Sequence, residues 1–295
     1  MGSLRLGVIG CDTSHVVEFT RRLNHRDVAP EHWVDGAEVV AAWPGTSRVA
    51  PDRLPGYVQT LRDMGIAITE RPEQLREHGV DAILLEGQEG DLHAELALPW
   101  IRAGVPVFVD KPFACRVADA AAMVEEAARQ GVPLLSASAL RFVPEAQGLG
   151  PISGAWTWSP GHLHPVNPGL FHYGVHGVEL LYTLLGPGCR QVSCIRTEGA
   201  DQVTGEWSDG RLGGVRGLRT AAPGYGLVAF TPKGPRTAVL GTTWIYRDLL
   251  RAVIPVLAGG PLPVAPRELV EAVAFSECAE QSVRSGGAPV ALPVL

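Results

Sequence analysis

The chain of 295 residues predicts an α/β protein: a doubly wound parallel sheet first, then an α+β domain with a mainly antiparallel sheet. Three observations predict it. Over residues 1–140, short apolar runs alternate with helix-spaced segments, the pattern of parallel strands joined by right-handed crossovers. The opening "GVIGCDTSHVVEF" reads as strand, tight turn and helix. After Phe142 strand-like runs follow one another without helices between them, separated by Gly- and Pro-rich turns. The expected domains are therefore 1–140 and 141–295.

Each element has its own signal. Residues 4–10 form an apolar strand, and residues 15–23 carry Val16, Phe19 and Leu23 at helical spacing. Residues 37–43 are a strand stopped by Pro44–Gly45. A helix at 59–65, a strand at 66–69 and a short helix at 72–78 follow. Strands at 81–85, 106–109 and 133–136 flank helices at 93–103 and 117–130, the latter closed by Gly131. In the second half the spacing predicts helices at 175–185, 248–258 and 266–285, with strands at 191–196, 215–219, 226–230 and 238–243.

Composition excludes several classes. With 46% apolar and 19% charged residues the chain is globular. A net charge of −6 argues against a nucleic-acid partner. No run approaches the roughly 18 apolar residues of a membrane span, and no basic-then-apolar leader opens the chain, so a cytoplasmic protein is expected. The five cysteines, Cys11, Cys115, Cys189, Cys194 and Cys278, are odd in number and contain no C-x-x-C pair. A disulfide framework or a cysteine zinc site is not expected.

Candidate site residues cluster where strands end. In a dinucleotide-binding Rossmann fold the first glycine of the turn after strand one permits the bend, and here it is Gly10. Asp12 and His15 stand where the second and third glycines belong. Asp12, Thr13 or Ser14 suits the N-cap of the helix, whose N–H groups attract phosphate. The second strand ends in "AAWPGTSRVA" without the usual acid, so Ser47 and Arg48 are candidates for a 2′-phosphate and lean the cofactor towards NADP over NAD. "VFVDKPFA" puts Lys111 directly after a buried strand, backed by Asp110 and Pro112, where an amine can ease deprotonation of a substrate hydroxyl. "GHLHPVNPGLFHYGVHGVELL" holds His162, His164, His172 and His176. His172 and His176 share a face if helical; acid/base chemistry by His176, a metal site, and plain packing all remain open.

Together these segments resemble the Gfo/Idh/MocA family, the glucose–fructose oxidoreductase and inositol dehydrogenase group. "LRLGVIG", the strand–loop–helix with His93, "VDKPFA" for E-K-P, "LRFVP" for R-F-x-P, "GLFHYGVHGVELL" for G-x-L-x-D-x-G-x-H and "LPVAPRELVEA" occur in the family's order. The resemblance implies an N-terminal Rossmann domain, NAD or NADP as cofactor, and a hydride transferred to or from a sugar, cyclitol or related polyol. It implies Lys111 beside the substrate, His176 as acid/base, and a homo-oligomer, dimer or tetramer. His172 replaces the family's aspartate, and "G-x-D-T-S-H" reads as a shortened phosphate loop. Expected cofactor contacts are Gly10, Asp12, Thr13, Ser14, His15, Ser47, Arg48, Glu86, Lys111, Pro112 and Arg141; His172 joins Lys111 and His176 in catalysis, and no metal is assigned. The acidic loop 86–91 favours a cationic or polyhydroxylated partner. The departures keep open a non-catalytic nucleotide-binding protein, and the histidines a metal-dependent hydrolase or isomerase.

Overall fold

The computed structural model describes residues 2–220 and 224–294. The chain forms two compact units. The first comprises Met1–Ala114, Ala121–Ala137 and Tyr246–Val264; the second comprises Cys115–Ala120, Ser138–Ile245 and Ala265–Leu295.

The first unit is built on β1 (Leu4–Ile9), β2 (Ala37–Trp43), β3 (Ala67–Ile68), β4 (Ala82–Leu85), β5 (Val107–Val109) and β6 (Leu134–Ser136). All pair in parallel, in the order β3-β2-β1-β4-β5-β6. The helices are α1 (His15–Leu23), α2 (Leu54–Asp63), α3 (His93–Arg102) and α4 (Val117–Gln130), whose first residues count with the second unit. β4 and β5 are buried along their whole length, as a sheet covered on both faces requires. Strand order reverses between β1 and β4, the switch point where ligands bind in such sheets. Register places Ile9 beside both Trp43 and Leu85, and Leu85 beside Val109. The residues that follow, Gly10, Pro44, Glu86 and Asp110, therefore emerge at one edge. α2 starts earlier than its spacing predicts, because Pro55 is accepted in a first helical turn.

In the second unit, β7 (Gly154–Pro160), α5 (Val175–Leu185), β8 (Cys189–Arg196), β9 (Ala200–Trp207), β10 (Leu212–Leu218), β11 (Gly226–Thr231) and β12 (Gly234–Val239) lead to α6 (Ile245–Leu257), α7 (Pro266–Arg284) and β13 (Val290–Ala291). The sheet order is β12-β11-β7-β10-β9-β8-β13. Every pairing is antiparallel except β7 with β10. α5 and α7 cover one face with Val178, Leu181, Leu185 and Phe275, which pack with Val203, Val215 and Trp207. Tyr182, Trp207 and Phe275 meet with ring centroids 5.8 to 6.4 Å apart.

The division differs from the expected 1–140 and 141–295 in one large respect. Most of α6 returns to the first unit, where Ile254 lies against Gly36 and Tyr246 meets His15 and Phe19 edge-on. An amphipathic stripe tells a helix which face to bury but not against which sheet. Among the described residues no helix is long and apolar enough to cross a membrane.

Candidate active site

The site in the first unit starts at the bend after β1. Gly10 has φ +83°, and a Cβ there would stand 2.6 Å from the Gly87 backbone. The turns after β1 and β4 thus touch at a point only glycine allows. Asp12 is buried, and its carboxylate accepts hydrogen bonds from Ser47 Oγ at 2.6 Å and the Gln88 N–H at 3.0 Å. Burial raises its pKa, and these donors pull it back. The Asp12 carboxylate thus ties the turns after β1, β2 and β4 together. The N-cap Ser14 makes no side-chain capping bond, while Thr13 Oγ1 accepts from the His15 N–H at 3.4 Å.

Arg48 is also redirected. Its Nε donates to Glu89 at 2.6 Å and its backbone N–H to the other oxygen of the same buried carboxylate. The Glu89 carboxylate facing Arg48 Nε is a charge that disfavours a 2′-phosphate at this point, so this contact adds nothing to the lean towards NADP. Ser47 is likewise occupied, by Asp12 and by the Val49 and Ala50 N–H groups. A cavity of about 200 Å³ opens here between Gly10, Trp43, Thr46, Gln88, Glu89 and Leu96. It lies at the carboxyl ends of β1, β2 and β4, the position a dinucleotide takes in this fold.

Deeper in, His15, Glu86, Asp110 and Lys111 converge. His15 Nδ1 is 2.8 Å from Asp110 Oδ2 and 3.7 Å from Glu86 Oε2, and Lys111 Nζ is 3.6 Å from the same Asp110 oxygen. Burial opposes the Asp110 charge, but His15 and Lys111 outweigh it and hold the carboxyl well below the usual range. Glu86 moves the other way, pushed up by burial and then by the Asp110 charge. These are the one group of three potential metal-ligating side chains among the described residues. Lys111 already supplies their cation, so the arrangement is a charge-compensated cluster. Pro112 follows Lys111 through a cis peptide bond. His93 lies between the Gly87 carbonyl at 2.7 Å and the Phe113 carbonyl at 3.3 Å, bracing the Lys111 loop; burial lowers its pKa and the two carbonyls oppose that.

In the second unit, His176 near the start of α5 has Nδ1 2.7 Å from Ser138 Oγ and its ring 5.6 Å from Tyr225. His172 lies outside the helix, which begins at Val175; the shared helical face inferred from its spacing is not formed. Its ring is 5.0 Å from His164 and 4.9 Å from Tyr173. Arg141 is buried and bonded to Glu179 and Glu268. Burial opposes its charge, and the two carboxylates more than restore it. Its expected cofactor contact gives way to a structural ion network. Ser138, Tyr225, Tyr246 and Gln88 carry no motif and were not predictable from spacing.

The Gfo/Idh/MocA profile, an oxidoreductase family with an NAD-binding Rossmann fold, matches residues 4–138. The match spans the part of the chain that carries the parallel sheet. No curated protein sequence matches the chain. Among solved structures it is similar to GenD2 from gentamicin A biosynthesis in complex with NAD, at 18% identity and a TM-score of 0.80, covering 100% of this chain and 97% of that one. It is also similar to a myo-inositol dehydrogenase from Corynebacterium glutamicum, at 16% identity, TM-score 0.78 and 100% of each chain. A third is scyllo-inositol dehydrogenase from Lactobacillus casei with NAD(H) and scyllo-inositol, at 12% identity, TM-score 0.78, covering 98% of this chain and 99% of that one.

Proposed function

We propose that the protein is a dehydrogenase that moves a hydride between NAD and a carbinol or carbonyl carbon of a sugar, cyclitol or related polyol. The observation that carries this reading is Lys111, held beside a buried ionised carboxylate at the carboxyl edge of the Rossmann sheet. Two of the similar structures are inositol dehydrogenases, which supports the substrate class.

The residues present fit the cofactor. Gly10 gives the bend, the N-terminus of α1 offers backbone N–H groups for a pyrophosphate, and the cavity beside Trp43 and Glu89 has room for a ribose. Bound NAD supplies the hydride acceptor. Lys111 takes or shares the hydroxyl proton as the carbinol is oxidised. His176, whose Nδ1 lies 2.7 Å from Ser138 Oγ, exchanges the proton in this reading. His172, its ring 5.0 Å from that of His164, orients the substrate hydroxyls.

Titration with NADH and NADPH, followed by quenching of the seven tryptophans, tests the cofactor site. A polyol panel assayed for reduced cofactor then tests turnover. NADH binding, turnover by wild type and a loss of about hundredfold or more in Lys111→Ala are expected. Full turnover by Lys111→Ala would contradict the role assigned to the amine.

A further inference from the structure

Glu86 is the residue that the mechanism above does not use. It follows Leu84 and Leu85, both fully buried, at the end of a central strand, and is itself fully buried. Among the described residues neither of its carboxyl oxygens has a hydrogen-bond partner. A carboxyl placed there is costly unless its charge is neutralised. The groups around it are Cys11 from the turn after β1, His15 at the start of α1, and Asp110 and Lys111 after β5. Tyr246 of α6 meets the His15 ring edge-on, with centroids 5.1 Å apart, and feels the Lys111 charge.

Asp110 touches both His15 and Lys111, so of the two neighbouring carboxylates it is the one that carries the negative charge. A second full charge beside it is unfavourable. Lys111 is the counter-ion that favours ionisation of Glu86, and by reciprocity Glu86 influences the proton on Lys111.

We propose that Glu86 is a positioning residue that shares a proton with Lys111 across the Asp110–His15 pair, and so governs when Lys111 can accept a proton from substrate. In the one-proton form the proton sits on either partner: neutral amine with carboxylic acid, or ammonium with carboxylate. Uptake of a substrate hydroxyl proton gives the two-proton form, ammonium with carboxylic acid; release to water restores the first. No electrons move within the cluster. Its use in catalysis rests on the dehydrogenase reading, but the shared proton is measurable without substrate.

The chain has only two lysines, Lys111 and Lys233, and Lys233 is exposed at the β11–β12 turn. Competitive acylation with acetic anhydride across a pH series, read by mass spectrometry, therefore follows Lys111 with Lys233 as an internal reference. Lys111 in wild type is expected to gain reactivity in two steps. In Glu86→Gln it is expected to titrate in one step, at lower pH than the second wild-type step, with Lys233 unchanged. Matching single-step profiles would overturn the proposal. Should Glu86→Gln fail to fold, carboxyl carbon-13 NMR of wild type labelled at glutamate decides: one glutamate must keep its proton far above the ordinary range, and ordinary titration of every glutamate overturns the proposal. Failure to bind NADH would refute the dehydrogenase reading while leaving both measurements intact.

Discussion

Glu86 and Asp110 make stability respond to pH in opposite senses. Glu86 has a folded pKa raised well above its ordinary value, through burial first and the Asp110 charge second. Its favourable contribution is complete below the unfolded pKa and fades as pH rises through the folded one. Asp110, depressed by His15 and Lys111 despite its burial, contributes above the unfolded pKa and loses this as pH falls towards the folded one. Urea unfolding as pH rises above the ordinary glutamate range should show wild type losing this contribution and Glu86→Gln losing less. A steeper decline in Glu86→Gln would contradict the assignment. Cofactor choice belongs to this scale as well. Glu89 occupies Arg48 and puts a carboxylate in the cavity wall. Wild type should therefore bind NADH at least about tenfold more tightly than NADPH, a gap of about 1.4 kcal/mol. Glu89→Gln should narrow that gap, as read by tryptophan quenching. The sequence showed Arg48, His15 and Asp110 as candidates, but not their partners. Those partners come from other turns, and pairing between distant turns has no local signature.

At the scale of elements, the turns that bear the site depend on close backbone approach. Gly10→Ala would force a side chain onto a backbone at φ +83° and against Gly87. The strain alone is worth about 1–3 kcal/mol, and loss of NADH binding should accompany the lower unfolding midpoint. Arg141 joins the turn after β6 to α5 and α7 through Glu179 and Glu268. Arg141→Met leaves two buried carboxylates without their cation, a cost of about 3–5 kcal/mol in denaturant unfolding; a change under about 1 kcal/mol would show that the network is dispensable. Helices were the legible elements. α1, α4 and α5 coincide with their predicted spans because amphipathic spacing and bounding glycines agree. β7 and β9 were missed because buried polar residues break their apolar alternation. Thr157 in β7 is buried and donates to the Gly177 carbonyl at 2.8 Å. Asp201 in β9 is buried beneath Arg196 and Arg219.

For the whole molecule, the parallel sheet and the mostly antiparallel sheet were both foreseeable from rhythm, since helices alternate with strands in one and not in the other. The return of α6 to the first unit was not, because chain order alone does not say where a connection docks. The chain combines an NAD-binding Rossmann unit with a second unit bearing His172 and His176, and on that combination rests the central claim of hydride transfer. The most direct test is isotopic. Polyols and cyclitols deuterated at their carbinol carbons are incubated with the protein and NAD, and the recovered cofactor is examined by NMR at nicotinamide C4. The account predicts deuterium at C4 on a single face of the ring with wild type, and little label with Lys111→Ala. Tight NADH binding with no deuterium at C4 from any polyol, cyclitol or sugar would contradict it.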